Sequence, residues 1–364
     1  TPPTVDTLAL IVTRSCDLDC DYCAASKRDL QLDADVAIRA VRGFAARGGR
    51  RVRLTGGEPT LRWDTVEAVL READRLRSGD QPLTVELCTN GRTLDPGRRR
   101  TLDRSWIRLT VSVDGTPDVQ RASGRTPLPE LAGLFSRPTT TVTQTLSPPL
   151  AHRGLDGLIH IWELGARRIN VLPVYYTRWR AEELRDLDEA LAGMAEFLRP
   201  RVADGRARVR NLERRGTVPL FADDLTVDVD GRGYRTNLVL ADRVTGPLLP
   251  RLRVDLDDPA PIPGDLADSL RRLLPPAVRR SNRRVDAALD RFVAAVRAPA
   301  PAPRRRRGVR PRRLEFHLSY ACDNHCQFCS EDDRLARWRS APVTAREVRR
   351  TLSSHARAGG DHVL

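Results

Sequence analysis

The stretch TRSCDLDCDYCAAS runs from Thr13 to Ser26 and holds three cysteines within eight positions, Cys16, Cys20 and Cys23. It directly follows the apolar run Leu8–Val12, which predicts a β-strand because it is rich in Leu, Ile and Val and ends in polar residues. Disulfide frameworks do not cluster thiols in this way, whereas metal and iron–sulfur sites do. Three thiolates can bind three irons of a [4Fe–4S] cube and leave the fourth iron open to another ligand.

The same pattern, which we call a comb, recurs near the other end of the chain as YACDNHCQFCSEDD, with Cys322, Cys326 and Cys329. Zinc is the alternative metal, since three protein ligands plus water form a catalytic zinc site. No histidine stands near the first comb, Cys16–Cys23, whereas His325 lies inside the second. Zinc is therefore more plausible at the second comb than at the first.

Short apolar runs alternate with helical patterns from residue 8 to residue 198. The predicted strands are Leu8–Val12, Val52–Thr55, Leu83–Thr89, Ile107–Val113, Thr139–Thr145 and Ile169–Tyr175. The predicted helices are Ala34–Ala46, Trp63–Arg77, Arg98–Asp103, Leu155–Leu164 and Ala181–Leu198. This alternation predicts βαβ units and a parallel sheet. Six units predict the α/β class and an open, partial (β/α)6 barrel of TIM type, with its chemistry at the C-terminal ends of the strands.

The pattern changes after residue 215. The segment LTVDVDGRGYRTNLVL predicts a hairpin around an Asp-Gly turn, and a helical, arginine-rich stretch follows it. We therefore expect a partial barrel over 1–215, a hairpin and helical extension over 216–297, and a Pro/Arg linker over 298–313.

Residues 314–364 repeat the first strand, the comb, the helix and part of a second strand. The spacing of ARGGRRVRL before TGGEPT matches that of ARAGGDHVL, where the chain ends. We expect the start of a second, truncated domain of the same kind. Three explanations stay open: the front of a tandem enzyme, a truncated gene product, or an added cluster or metal site.

The chain of 364 residues has a formal net charge of +14, which invites a nucleic-acid hypothesis. Lys27 is the only lysine, so the charge is an arginine bias spread over the surface, and nucleic-acid binding is not expected. No apolar run is long enough for a membrane span, and we expect no signal peptide. We expect a reducing cytoplasm.

Polar and glycine-rich segments follow the later strands. TGGEPT, with Gly56, Gly57 and Glu58, follows the second strand, CTNG ends the third, and VSVDG, with Ser112 and Asp114, ends the fourth. Glycines allow a close backbone approach to a ligand, and the Glu58 carboxylate could accept hydrogen bonds from an ammonium group. All of these segments are expected on one rim of the sheet.

Over about Leu8 to Tyr176, the first comb with Tyr22 before its last cysteine, the GGEP, TNG and SVDG segments together resemble the radical S-adenosylmethionine (radical SAM) superfamily. The resemblance implies that the three cysteines of the first comb bind a [4Fe–4S] cluster. It also implies that Gly56–Glu58 hold the amino end of S-adenosylmethionine, that Ser112 and Asp114 contact its ribose, and that Tyr22 flanks its adenine.

The resemblance further implies an iron–sulfur enzyme, an oxidoreductase or transferase. It cleaves S-adenosylmethionine reductively to a 5′-deoxyadenosyl radical, which takes a hydrogen atom from a substrate. An electron donor such as flavodoxin or ferredoxin is implied. SVDGTPDVQRASGR and LTVDVDGRGYRTN are similar to the branch that modifies peptides (SPASM-like), so a peptide or specialised metabolite is the expected substrate.

The sequence departs from that branch, because Thr236 or its neighbours stand where the extension's first cysteine is expected, and no cysteine lies between Cys88 and Cys322. Two rival hypotheses remain. One is a radical SAM enzyme that modifies RNA or nucleotides, and the other is a non-catalytic metal-binding or degenerate partner fragment.

Overall fold

The computed structural model describes residues 7–77, 83–125, 132–213, 224–257, 259, 265–298, 313–314, 348, 352 and 362–363. The chain divides into two compact units, residues 1–300 and 301–364. No helix in the described ranges is both long and apolar enough to cross a membrane.

The first unit is built on one open sheet with the strand order β10-β9-β8-β1-β2-β3-β4-β5-β6-β7. Its strands are β1 (Thr7–Thr13), β2 (Arg51–Gly56), β3 (Thr84–Thr89), β4 (Ile107–Val113), β5 (Thr140–Leu146), β6 (Arg168–Pro173), β7 (Arg208–Val209), β8 (Leu225–Val227), β9 (Gly233–Tyr234) and β10 (Arg253–Val254). Strands β1 to β7 run parallel, each beside the next. The sheet is not closed, as expected for a partial barrel.

Helices between the parallel strands contribute to the main core, and the last three helices belong to the extension. They are α1 (Ala34–Ala46), α2 (Trp63–Leu76), α3 (Pro96–Thr101), α4 (Pro117–Ala122), α5 (Ala132–Phe135), α6 (Gly154–Glu163), α7 (Ala181–Ala203), α8 (Asp242–Thr245), α9 (Leu266–Leu273) and α10 (Pro276–Arg297). Short 3-10 helices occupy Pro59–Arg62, Pro148–Arg153, Arg210–Glu213, Asn237–Ala241 and Gly246–Leu252. Asp33 is the N-cap of helix α1, and its side chain accepts hydrogen bonds from the amides of Asp35 and Val36.

Strand alternation divides the sheet into an apolar and a polar face. Leu8 and Leu10 of β1 and Val52 and Leu54 of β2 belong to the main core beneath the helices. Their neighbours point to the opposite side, since successive side chains of a strand alternate. That opposite side, which we call the inner face, carries mostly polar side chains: Arg53, Thr55, Glu86, Cys88, Thr110, Ser112, Thr141, Thr143 and Asn170.

The extension adds its hairpin to the free edge of β1. Strand β8 runs parallel to β1, with Leu8 opposite Leu225, and antiparallel to β9. The turn is closed by Gly231, which has φ 78°, and its amide donates to the Asp228 carbonyl. The hairpin is therefore where the Asp-Gly turn predicts it. Ile11 on the inner face of β1 packs with Tyr234, Leu238 and other apolar residues of the extension.

Most predicted elements are found with small shifts at their ends, whereas α4, α5 and β7 were not predicted. The helix expected over Arg98–Asp103 begins two residues earlier, because Asp95 caps it and Pro96 starts its first turn. The helical stretch at 266–297 is divided into α9 and α10 by Pro275 and Pro276, which interrupt the helical hydrogen bonding.

The second unit contains one described strand pair, β11 (Arg313–Leu314) parallel to β12 (His362–Val363). Leu314 lies opposite Val363, just as Leu8 lies opposite Val52 in the first unit. The two pairs occupy equivalent positions relative to the combs and the Gly-Gly pairs. This shared register supports the internal repeat. Cys322, Cys326 and Cys329 lie outside the described residues.

Candidate functional site

The first comb lies on the loop between β1 and α1. This loop folds back on itself, because the Arg14 amide donates to the Leu30 carbonyl and the Leu32 amide to the Val12 carbonyl. Cys16, Cys20 and Cys23 all have free, partly exposed thiols. Burial raises the pKa of the Cys16 and Cys20 thiols, and the Arg125 guanidinium opposes that effect at Cys20.

The donor set of this loop, three free cysteine thiols, fits a [4Fe–4S] cluster that has one open iron. In the described part of the chain, no three Cys, His, Asp or Glu side chains converge on a point where a single metal ion could bind. A zinc ion would draw its ligand sulfurs to about 2.3 Å from one centre. A [4Fe–4S] cube places each thiolate on a different iron, so its ligands can lie further apart.

Gly56 and Gly57 let the comb loop lie directly against the end of β2. A Cβ at Gly57 would come within 2.1 Å of the Ser15 carbonyl oxygen, and a Cβ at Gly56 within 2.3 Å of the Thr13 carbonyl oxygen. The Gly57 and Glu58 amides donate to these same two carbonyls, each at 2.8 Å. The glycines were expected to allow a close approach of the backbone to a ligand. In the structure they allow a close approach to the backbone of the comb loop.

The Glu58 carboxylate is buried and used by the protein itself. Its side chain accepts hydrogen bonds from the Thr60 amide and hydroxyl, the Thr89 hydroxyl and the Asn90 amide. Burial raises the pKa of Glu58, and these four donors act in the opposite direction. The carboxylate therefore ties the GGEP turn to the end of β3. That it also holds an ammonium group stays a prediction.

Tyr22 and Asp114 are in direct contact. The Tyr22 hydroxyl donates to Asp114 at 2.8 Å and accepts from the Arg125 Nε at 2.9 Å. Arg125 also pairs with Asp114 at 3.1 Å, and the Ser123 hydroxyl donates to the same carboxylate. Burial is the main cause that raises the pKa of Asp114, and Arg125 counteracts it. This network fixes the comb to the end of β4.

Asn90 and Arg92 hold the opposite side of the comb loop. The Asn90 side chain donates to the Asp17 carboxylate at 2.7 Å, and Arg92 donates to the Asp17 carbonyl at 2.7 Å. The TNG segment therefore contacts the comb through the residue directly after Cys16. Sequence reasoning placed TNG on the rim and did not foresee this contact, because no pattern in a single sequence pairs Asn90 with Asp17.

Ser112 lies near the end of β4, on the inner face beside Thr143 of β5. Its carbonyl accepts a hydrogen bond from Arg125 at 3.0 Å. Arg125 was not predicted as a site residue, although it lies in the SVDGTPDVQRASGR segment. The ribose contacts of Ser112 and Asp114 and the adenine contact of Tyr22 stay predictions.

Deeper on the inner face lies a charged network. Glu86 accepts from the Arg53 Nε at 2.9 Å and from Arg210 and the Thr110 hydroxyl at 2.7 Å each. Arg53 also pairs with Asp224 at 2.6 Å. Although burial opposes it, the attraction of Arg53 and Arg210 holds the pKa of Glu86 below its ordinary value. Nearby, burial raises the pKa of the Cys88 thiol to about 12, so it is a neutral group.

Residues 10–132 match the family model described as the radical SAM superfamily. The chain carries a radical SAM domain. The cofactors predicted from the sequence, a [4Fe–4S] cluster and S-adenosylmethionine, are those of this domain, and this prediction is confirmed. The radical SAM match, with its GTP 3′,8-cyclase relatives, indicates an iron–sulfur enzyme.

Among curated relatives, the chain is 31% identical over 157 residues to a GTP 3′,8-cyclase of Erythrobacter litoralis, covering 41% of this chain and 47% of that protein. It is 28% identical over 231 residues to a GTP 3′,8-cyclase of Nitrobacter winogradskyi, covering 55% and 67%. A relative from Lactiplantibacillus plantarum is covered over 33% of its length. The chain thus spans between a third and two thirds of these relatives.

Solved structures resemble the fold. A structure titled native anSMEcpe with bound AdoMet and a peptide has a TM-score of 0.57 and 15% identity, over 69% of this chain and 78% of that chain. Streptococcus suis SuiB has a TM-score of 0.51 and 16% identity, over 65% and 61%. At such low identity the likeness supports the fold, the partial barrel of radical SAM enzymes.

In the extension, Thr236 stands where the resemblance places the first additional cysteine. Its hydroxyl oxygen accepts from the Leu238 amide at 3.2 Å and so begins a 3-10 helix. Thr236 is therefore a capping residue here.

Proposed function

We propose that this chain is a radical SAM enzyme whose cluster is held by Cys16, Cys20 and Cys23. The single observation that carries the proposal is the packing of the comb loop against Gly56 and Gly57. The two backbones lie so close that neither glycine position has room for a side chain. Cys16, Cys20 and Cys23 would hold the cluster, which with S-adenosylmethionine would supply radical chemistry, the removal of a hydrogen atom from the substrate.

The protein's part in this reaction is to position and shield. The Tyr22–Asp114–Arg125 network and the Asn90–Asp17 contact hold the comb loop on two sides. The Gly56–Glu58 segment is proposed to receive the amino end of S-adenosylmethionine, through its backbone groups as much as through the Glu58 side chain, because that carboxylate already accepts four hydrogen bonds.

The inner face is the proposed substrate side, and a peptide or specialised metabolite remains the proposed substrate class. The face carries hydroxyls and an amide rather than large apolar groups, which suits a ligand rich in hydrogen-bonding groups. In line with this, a solved neighbour is titled with a bound peptide.

A nucleotide is the second candidate substrate. The relatives named GTP 3′,8-cyclase favour it, together with the polar inner face. RNA is a weaker form of the same candidate. It would require binding whose affinity falls steeply with salt concentration, because phosphate contacts release counterions. An electron donor such as flavodoxin or ferredoxin and a reducing, cytoplasmic setting are proposed with either substrate.

The decisive experiment measures 5′-deoxyadenosine. The protein is reconstituted anaerobically with iron and sulfide, reduced, and mixed with S-adenosylmethionine, and the nucleoside is quantified by mass spectrometry. We expect product from the wild type and from Cys326→Ala, and none from Cys20→Ala. No product from wild-type protein that carries an intact cluster would refute the autonomous enzyme and favour a partner fragment.

A second measurement separates the substrate candidates. GTP and a panel of peptides are added separately to the same reaction, and the rate of 5′-deoxyadenosine formation is compared with that of S-adenosylmethionine alone. A stimulation by GTP and not by peptides would replace the peptide proposal with the nucleotide one.

A further inference from the structure

The extension contacts the comb loop through a cluster of ion pairs and hydrogen bonds. These contacts are separate from those described above. We define the clasp as residues 225–245, which comprise the β8–β9 hairpin, the 3-10 helix Asn237–Ala241 and α8. Sequence reasoning assigned no role to this contact. It involves neither the GGEP turn nor the ends of β3 and β4.

Arg14 makes most of the contacts between the comb loop and the clasp. It stands two residues before Cys16, and its side chain is only 5% exposed. Its Nε and Nη2 donate to the two carboxylate oxygens of Asp228 at 3.1 and 2.7 Å, and Nη2 also donates to the Val239 carbonyl at 3.1 Å. Its Nη1 lies 3.5 Å from Asp242. A bidentate arginine–carboxylate pair is both strong and directional.

The clasp also contacts the loop directly after the last cysteine. Asp242 accepts from the Ser26 amide at 2.7 Å. The Arg243 amide donates to the Ala24 carbonyl at 3.2 Å, and the Arg243 side chain donates to the Cys23 carbonyl at 3.3 Å. The contacts therefore bracket the comb, from two residues before Cys16 to three residues after Cys23.

From this bracketing we infer that the clasp is part of the cluster site and that Arg14, Asp242 and Arg243 position the three cysteines. The inference rests on the proposed cluster at Cys16, Cys20 and Cys23. Residues that orient metal ligands commonly change metal affinity 10- to 100-fold when they are replaced, although they do not touch the metal. The extension thus adds a further support to a loop that the Tyr22–Asp114–Arg125 network and the Asn90–Asp17 contact already hold.

A general contribution to fold stability is the competing explanation. It predicts that variants of the clasp unfold more easily and that any cluster they carry is unchanged. A positioning role predicts a change at the cluster in protein that is still folded. Cluster retention and spectroscopy therefore distinguish the two explanations.

The experiment compares reconstituted wild type with Arg14→Lys, Asp242→Ala, Asp242→Asn and Arg243→Met. Iron loss to a chelator is followed anaerobically, and electron paramagnetic resonance spectra of the reduced cluster are recorded with and without S-adenosylmethionine. We expect Asp242→Ala and Arg14→Lys to lose iron roughly tenfold faster and to give altered spectra. Asp242→Asn keeps an acceptor for the Ser26 amide. Its rate of iron loss should therefore lie between those of Asp242→Ala and the wild type.

Arg251→Met is the matched control, because Arg251 forms an exposed ion pair with Asp265 at 2.9 Å within the extension. It should retain iron at the wild-type rate. Circular dichroism checks that each variant is folded. If Arg14→Lys fails to fold, Arg243→Met and Asp242→Ala test the inference. Arg243→Met is expected to fold because the Arg243 side chain is exposed.

Wild-type iron loss and spectra in both Asp242→Ala and Arg243→Met would overturn the inference and leave the proposed function standing. A wild-type protein that binds no cluster would instead refute the proposed function and the inference with it.

Discussion

At the scale of single residues, the candidate site depends on closely packed and buried groups. Gly57 faces the Ser15 carbonyl, and Glu58 accepts four hydrogen bonds in a site where it is 1% exposed. Buried polar groups of this kind are costly to leave unpaired. Conservative substitutions at these positions are therefore expected to have large effects.

Replacing Glu58 with Gln should destabilise the protein by about 1–3 kcal/mol. One oxygen of the side chain would remain, but the new amide group would face the Asn90 amide, a donor, or the three donors from Thr60 and Thr89. Urea unfolding of the apo-protein measures the loss. Glu67→Gln, at a partly exposed position, is the control, and equal stability of the two variants would contradict the expectation.

Gly57→Ala should displace the comb loop from the end of β2. A Cβ would lie 2.1 Å from the Ser15 oxygen and 2.7 Å from its carbonyl carbon, and both are backbone atoms that cannot rotate away. We expect a marked loss of reconstituted iron. Gly246→Ala is the matched control because nothing lies within 4 Å of its added Cβ. Normal iron content in Gly57→Ala would show that the loop can shift without harm.

At the scale of elements, the inner-face network joins the neighbouring strands β2 and β3 to chain segments outside them. Glu86 of β3 binds Arg53 of β2 and Arg210 beyond β7, and Arg53 reaches Asp224 just before β8. The network therefore connects β2 and β3 with the segment after β7 and the segment before β8. It places charge where a closed barrel would place packed apolar side chains.

Stability should depend on the Glu86 charge in acid. Arg53 and Arg210 hold its pKa below the ordinary value of 4.5, so its contribution is complete above that pH and is lost as the pH falls further. Glu86→Gln should lower the free energy of unfolding by about 2 kcal/mol at neutral pH. The difference from wild type should shrink below pH 4.5. Urea unfolding across this range measures it, and a difference independent of pH would contradict the argument.

At the scale of the whole molecule, the two combs pose a question of stoichiometry. The matched registers at Leu8–Val52 and Leu314–Val363 support a repeated β-strand pair. We therefore propose that residues 314–364 begin a second domain of the radical SAM type. Whether its three cysteines hold a cluster is a separate matter, which iron analysis decides.

If both combs bind clusters, reconstituted protein should hold about eight irons per chain, and about four if only the first does. Because the residues that match the radical SAM family model, 10–132, include the first comb and not the second, we expect about four irons. Cys326→Ala should then leave the iron content unchanged, whereas Cys20→Ala should remove most of it. A loss of half the iron in each variant would assign a cluster to both combs.

Strands β1 to β6, most of the helices between them, the open α/β sheet and the comb could be predicted from the sequence alone. These follow from local signals: runs of Leu, Ile and Val, capping residues, glycine turns and cysteine spacing. Even the β8–β9 hairpin could be predicted, since Asp-Gly is a local turn signal. The GGEP and SVDG segments could be placed on one rim because parallel strands end at one edge of a sheet.

The contacts that hold the comb could not be predicted and were found in the fold. Arg14 meets Asp228 across 214 positions of sequence, Asn90 meets Asp17 across 73, and Arg125 meets Tyr22 across 103. A single sequence contains many arginines and carboxylates, and their local patterns do not specify which of them pair. Long-range ion pairs and hydrogen bonds form only after the sheet has brought its loops together, so the comb was predictable and its supports were not.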